Sequence, residues 1–110
     1  MRGRLVVFAA VTMVAFAAGC SDRGTGQVTD GKAIFMVHCG GCHTLADAGS
    51  TGVVGPNLDQ AKPPRSLVVK QVTNGGVAMP SFSDNLSAGH SLTDAEIQAV
   101  ADYVSSATGR

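Results

Sequence analysis

The sequence predicts an all-α domain, and three observations carry that prediction. Thr93-Asp94-Ala95-Glu96 is a capping box, with Thr93 as N-cap and Glu96 at N3, flanked by Leu92 and Ile97 as a hydrophobic staple. Behind it Ile97, Val100, Ala101 and Val104 recur at i, i+3, i+4 and i+7, one apolar stripe. No run of useful length alternates apolar and polar residues as a half-buried strand does, and no internal repeat is present.

The elements follow in order along the 110 residues. Arg2 and Arg4 precede a mostly apolar run from Leu5 to Ala18, which ends in Ala17-Ala18-Gly19-Cys20 before the polar Ser21-Asp22-Arg23. A charged start, a short apolar stretch and small residues at its end describe a secretory signal peptide, here residues 1–19. The run falls short of the ~20 residues a membrane-crossing helix needs. Residues 20–29 are Gly-rich and polar, a flexible tether that reaches about 30 Å when extended. The folded domain is then residues 30–110. Asp30 is placed to cap a first helix running through Ile34, Phe35 and Val37-His38 into Cys39. Three glycines between Leu45 and Gln60 read as loop. Ser66 is expected to cap a short helix through Val68, Val69 and Val72, which Asn74-Gly75-Gly76 ends.

Cys39-Gly40-Gly41-Cys42-His43 carries the chemistry. Two cysteines three apart on a helical turn can add across the two vinyl groups of one porphyrin, and the following histidine is then held against the metal. This Cys-x-x-Cys-His pattern reads as covalent attachment of one haem c. A bare Cys-x-x-Cys pair also occurs in thioredoxin-like redox proteins, but that reading needs a strand-helix-strand context that is missing. Zinc is poorly served, with no second cysteine pair and His90 as the one remote nitrogen. The second axial ligand is expected from Met79. Past the signal, the other methionine is Met36, three residues before Cys39 and unable to reach the opposite haem face. The folded unit expected from about Asp30 to Ser106, under eighty residues, is small for a self-sufficient core, and a tethered haem would complete it. His38 and His90 have no partners at ligand spacing and are expected to face solvent.

With those residues quoted, the chain resembles the class I monohaem cytochrome c family from Gly31 to Val104, and its spacing and signal resemble the small bacterial subgroup. Gly31 and Phe35 stand eight and four residues before the first haem cysteine. Gly55-Pro56-Asn57-Leu58 is similar to the loop whose proline carbonyl accepts a hydrogen bond from the axial histidine, Met79-Pro80 to the distal ligand segment, and Tyr103 to the residue where the terminal helices pack. The resemblance implies a small cytochrome c-like fold, with N- and C-terminal helices packed together around covalently bound haem. It implies thioether anchors at Cys39 and Cys42, iron held by His43 and Met79, Pro56 orienting His43, and Leu58 and Phe82 against the macrocycle. It further implies Gly31 at a close helix crossing, and Gly75-Gly76 letting their loop approach the porphyrin. Many relatives place an aromatic N–H or O–H near the haem propionates; this chain has no Trp.

Small residues ending in Cys20 resemble the bacterial lipobox, with Ala17 where Leu is usual. A lipidated Cys20 accounts for the third cysteine and would anchor the protein to the membrane, on the extracytoplasmic face of the bacterial cytoplasmic membrane. Cleavage after Ala17 is the alternative, leaving Cys20 a free thiol. Removing residues 1–19 leaves six basic and eight acidic residues, a net charge of −2, with no basic stripe. Nucleic acid is excluded as a partner on that ground. Lys62, Arg65 and Lys70 read as a solvated helix face, or as a docking patch for an acidic partner. The expected function is electron transfer, with no bond chemistry, by a monomeric membrane-tethered carrier between redox proteins of a respiratory chain. The alternatives are a haem-bearing subunit of an oxidase or dehydrogenase complex, and a haem sensor or peroxidase-like protein if Met79 is not a ligand.

Overall fold

In the computed structural model, residues 30–83 and 91–109 are described. The segments read as signal and tether, Cys20 and His90 lie outside them. Four helices are present among the described residues: α1 (Gly31–His38), α2 (Leu58–Ala61), α3 (Arg65–Asn74) and α4 (Asp94–Ala107). Between α1 and α2 two strands of two residues each, β1 (Thr44–Leu45) and β2 (Ser50–Thr51), pair antiparallel around a 3₁₀ turn at Ala46–Ala48.

Asp30 caps α1, its carboxylate accepting from the backbone N–H groups of Lys32 and Ala33 at 3.0 and 3.3 Å. α4 begins with both halves of its capping box, Glu96 N to Thr93 Oγ1 at 3.3 Å and Thr93 N to Glu96 Oε2 at 2.8 Å. Ile97, Val100, Ala101 and Val104 are all buried, so the stripe read from the sequence faces the core. α4 packs against both α1 and α3. At the α1 crossing, a Cβ built on Gly31 would sit 2.2 Å from the Ala99 carbonyl oxygen and 2.7 Å from Tyr103 Cβ, so only glycine permits this approach. The rings of Phe35 and Tyr103 stack tilted across the same crossing, with centroids 6.0 Å apart. Tyr103 Oη donates to Asp47 Oδ2 at 2.7 Å, and Lys32 Nζ lies 3.7 Å from that oxygen, so both terminal helices hold the 3₁₀ turn.

The structure corrects several expectations. α3 starts two residues early: Pro64, not Ser66, is its N-cap, because proline's fixed φ suits helix entry without a side-chain bond. The stretch from Leu45 to Gln60 is not all loop, since α2 forms where Asn57 Oδ1 accepts from Gln60 N. Val37 is off the buried face of α1 at 76% exposure, leaving Ile34 and Phe35 to the core. His38 is half-buried rather than fully solvent-facing, its ring edge-on to Phe82 at 6.0 Å. Arg65 does sit exposed on α3, where it also pairs with Asp102 and donates to Gln98 Oε1 at 2.5 Å, tying α3 to α4. Gly75 shapes the loop that carries Met79. Its φ is +73°, and an added Cβ would meet Met79 O at 2.6 Å and Ser81 N at 2.7 Å.

Candidate haem-binding site

A cavity of about 400 Å³ opens between the end of α1, the loop before α2, α3 and the loop after it. That is within the ~300–1,000 Å³ of small-molecule and cofactor sites. Its wall brings together Cys39, Cys42, His43, Pro56, Leu58, Met79 and Phe82, every described residue the sequence pointed to as cofactor-binding. Among the described residues of the lining, apart from His38, His43 and the two cysteines, Gln71 is the one polar side chain, and none is Asp, Glu, Lys or Arg. A greasy slot with two thiols, an imidazole and a thioether on its wall fits a haem in both shape and donor chemistry.

Each functional side chain is placed by local structure. Cys39 caps the C-terminus of α1, its N–H bonded to Phe35 O. The chain then turns, with Cys42 N and His43 N both donating to Cys39 O at 3.1 and 3.0 Å. Cys39 is buried and Cys42 exposed. Burial, with Cys42 adding to it, pushes the free Cys39 thiol up to about 12.

His43 Nδ1 donates to the carbonyl of Pro56 at 2.9 Å. A carbonyl only accepts, so the proton sits on Nδ1 and the lone pair is left on Nε2, the nitrogen then free to bind a metal. Gly55 N also donates to Cys42 O at 2.7 Å, pinning this strap to the motif. Met79 reaches the wall because its loop is sewn to the end of α3. Phe82 N donates to Val72 O at 3.0 Å, and the hydroxyls of Ser81 and Ser83 both donate to Thr73 O, at 2.6 and 2.8 Å. Gly76 N donates to Met79 O at 2.8 Å, closing the turn that presents Met79.

Sequence reasoning missed Gly52 as a site residue, and placed Gly55 only as part of the loop that carries Pro56. A Cβ on Gly55 would lie 2.4 Å from His43 Cε1, and one on Gly52 would lie 2.6 Å from Cys42 C. Neither was singled out for its missing side chain, because the contact that excludes one is made across the fold. Asp59 was missed as well. Backbone N–H groups of Gly109 and then Ala46 hold its carboxyl below its ordinary value.

Packed terminal helices enclosing a slot with Cys-x-x-Cys-His on its wall define a small c-type cytochrome. The chain belongs to the cytochrome c family. Residues 26–104 match the family model described as "Cytochrome C oxidase, cbb3-type, subunit III". Among curated relatives, cytochrome c6 of Diacronema lutheri is 34% identical over 76% of this chain and all of its own length. Cytochrome c6 of Microcystis aeruginosa is 35% identical over 68% of this chain and 90% of its own. The crystal structure of the c-type cytochrome SorU from Sinorhizobium meliloti superposes with a TM-score of 0.63 at 46% identity, covering 73% of this chain and 88% of that one. The protein is thus an electron carrier of the cytochrome c type, with haem c as its covalent, iron-containing cofactor.

Proposed function

We propose that the protein is a single-haem, membrane-tethered electron carrier of a respiratory chain, acting outside the cytoplasmic membrane. In this reading Cys39 and Cys42 would hold the haem by thioethers, and His43 and Met79 would bind its iron. The observation that carries it is the His43 Nδ1–Pro56 O bond, which in the neutral ring puts the lone pair on Nε2, with His43 and Met79 on the wall of one cavity. When bound, haem supplies one-electron exchange between ferrous and ferric iron. The chain's residues do the rest. Pro56 orients His43 and raises its basicity, and the Met79 thioether favours the ferrous state relative to a second nitrogen. The apolar lining would keep water from the bound iron, and with His43 and Met79 both holding it the protein would exchange electrons and do no bond chemistry.

Met79→Ala tests the ligand set. The absorption band of sulfur-ligated ferric haem should vanish, and the reduced variant should bind carbon monoxide at neutral pH. A wild-type protein that itself binds carbon monoxide readily would favour a sensor or peroxidase-like role. The tether rests on the lipobox-like Cys20. Cys20→Ser should move the protein from the membrane to the soluble fraction of cells, and a variant that stays on the membrane refutes the anchor. Migration as a single small species after detergent extraction is expected of a free carrier, whereas co-purification with a large complex would identify a subunit.

A further inference from the structure

We propose that Asp59 is a positioning residue for the axial histidine, its carboxylate forming the far rung of a ladder that keeps the Pro56 carbonyl in register with His43. The inference rests on His43 being the iron ligand.

Three hydrogen bonds join the motif segment 42–46 to the strap 55–59. Gly55 N donates to Cys42 O at 2.7 Å, His43 Nδ1 donates to Pro56 O at 2.9 Å, and Ala46 N donates to Asp59 Oδ2 at 2.8 Å. Each rung joins residues thirteen apart, so the two segments run side by side without slipping. The first two rungs are neighbours in sequence and by themselves allow the strap to pivot at that end. Asp59 supplies the fixed point three residues further on, through a charge-assisted bond of roughly twice the strength of a neutral one. What lies between is stiff. Asn57 caps α2, and Ala61 N donates to Asn57 O at 3.0 Å, so a shift at Asp59 is passed back to Pro56 as a tilt of one rigid turn. The other carboxylate oxygen, Oδ1, accepts from Gly109 N at 3.0 Å, which ties the end of the chain to the same residue but not to the ladder.

The Pro56 carbonyl sets how electron-rich the imidazole is, because the acceptor on the far ring nitrogen raises ligand basicity. A strap free to tilt lengthens that bond. The ring then donates less to the metal, ferrous iron gains relative to ferric, and the Nδ1 proton is held less firmly.

The test uses the haem-loaded protein and three variants. Asp59→Ala removes the rung, and Asp59→Asn keeps one neutral acceptor. Ala46→Pro deletes the donor while leaving the carboxylate in place. Proline is compatible there, since Ala46 opens the 3₁₀ turn and Leu45 before it is extended at φ −151° and ψ 110°. Two quantities are read: solvent exchange of the His43 Nδ1 proton by NMR in the reduced state, and the midpoint potential. Asp59→Ala and Ala46→Pro should speed exchange by about tenfold, the factor one charge-assisted hydrogen bond is worth, and should both raise the potential. Asp59→Asn should fall between them and wild type. A chain ended at Thr108 loses the Gly109 donor and should lose stability with exchange and potential unmoved. The proposal is overturned if Asp59→Ala and Ala46→Pro lower the melting temperature yet leave both readouts at wild-type values, or if the shortened chain moves them equally. A wild-type protein whose His43 ring signals show no paramagnetic shift in the oxidised state would instead refute the ligand reading.

Discussion

Gly31→Ala tests the helix crossing that frames the haem slot. Alanine is the better helix former by about 0.5–1 kcal/mol, so propensity alone predicts stabilisation. The geometry predicts the opposite. The new methyl would lie 2.2 Å from the Ala99 carbonyl oxygen, a backbone atom that cannot rotate away. Restoring an ordinary carbon–oxygen contact of about 3.3 Å needs a separation of α1 from α4 by about 1 Å. A gap of that size forfeits a quarter to a half of the contact energy of the side chains facing it. Ile34 and Phe35 are the buried side chains α1 contributes beyond Gly31, each worth about 1.5–3 kcal/mol when fully buried. The loss is then about 1–3 kcal/mol, and after the propensity gain the net destabilisation is about 1–2 kcal/mol. For a domain of this size that lowers the melting temperature by about 5–15 °C. Urea unfolding of the haem-loaded protein measures it. Gly41→Ala is the control, since nothing lies within 4 Å of its added Cβ and it should stay within about 0.5 kcal/mol. A Gly31→Ala protein as stable as wild type, or more so, would mean the helices do not approach this closely.

Gly55→Ala should act on the site rather than on the frame: its methyl would press on the His43 ring at 2.4 Å, so the haem spectrum and potential should shift with the melt, and an unchanged spectrum would refute the contact. Thr93→Ala should cost about 1 kcal/mol by removing the N-cap of α4, read by urea unfolding, with no spectral change. Acid should weaken the fold through Asp59, whose carboxyl the Gly109 and Ala46 N–H groups hold below its ordinary value, with Lys62 helping and Asp47 opposing. A group whose value is depressed on folding contributes stability that is complete above its unfolded value and lost as pH falls through the folded one. Stability measured from pH 6 downward should therefore drop more steeply below the ordinary carboxylate range in wild type than in Asp59→Asn; parallel curves would remove Asp59 from the acid response. Arg65→Ala should cost at most about 1 kcal/mol, because its pairing with Asp102 is exposed, and salt titration of the wild-type melt should show the same small loss.

Most of the frame was legible because its signals are local. The capping box, the staple and the stripe of α4 are contained in thirteen residues and depend on nothing outside them. The attachment motif is local too, five residues whose spacing is itself the chemistry. What escaped depends on approach between distant segments. Ser66 satisfies every local rule for an N-cap, yet Pro64 starts α3, since a helix can open on a fixed φ without a side-chain acceptor. The cluster of Lys62, Arg65 and Lys70 looked like one patch along the chain. Across the fold Arg65 turns to Asp102 and Gln98, and Lys62 caps α2 in the left-handed region at φ +45°. Gly31 and Gly75 illustrate both outcomes. The first was expected at a helix crossing and stands there. The second was expected, with Gly76, to let its loop approach the porphyrin, and its missing side chain makes room for the return of that same loop toward Met79 and Ser81.

The two sides of the slot are built on different principles, and that difference has a consequence for redox tuning. On the His43 side, the ligand is itself part of the attachment motif, the strap is bound to that motif segment by three rungs, and Gly52 and Gly55 pack against it where no Cβ fits. On the Met79 side the loop hangs from the last turn of α3 by Thr73 O, Val72 O and a glycine with positive φ. Helix C-terminal carbonyls are the groups a helix leaves unsatisfied, so the two serine hydroxyls and the Phe82 N–H complete α3 while they hold the loop. Loss of one serine therefore leaves Thr73 O with its other donor, whereas loss of a rung on the His43 side leaves no substitute. Substitutions at Ser81 or Ser83 should accordingly act singly by little and together by much, a non-additivity that a double-mutant cycle on the midpoint potential reads directly. Strict additivity of Ser81→Ala and Ser83→Ala would show that the two hydroxyls do not share the work at Thr73.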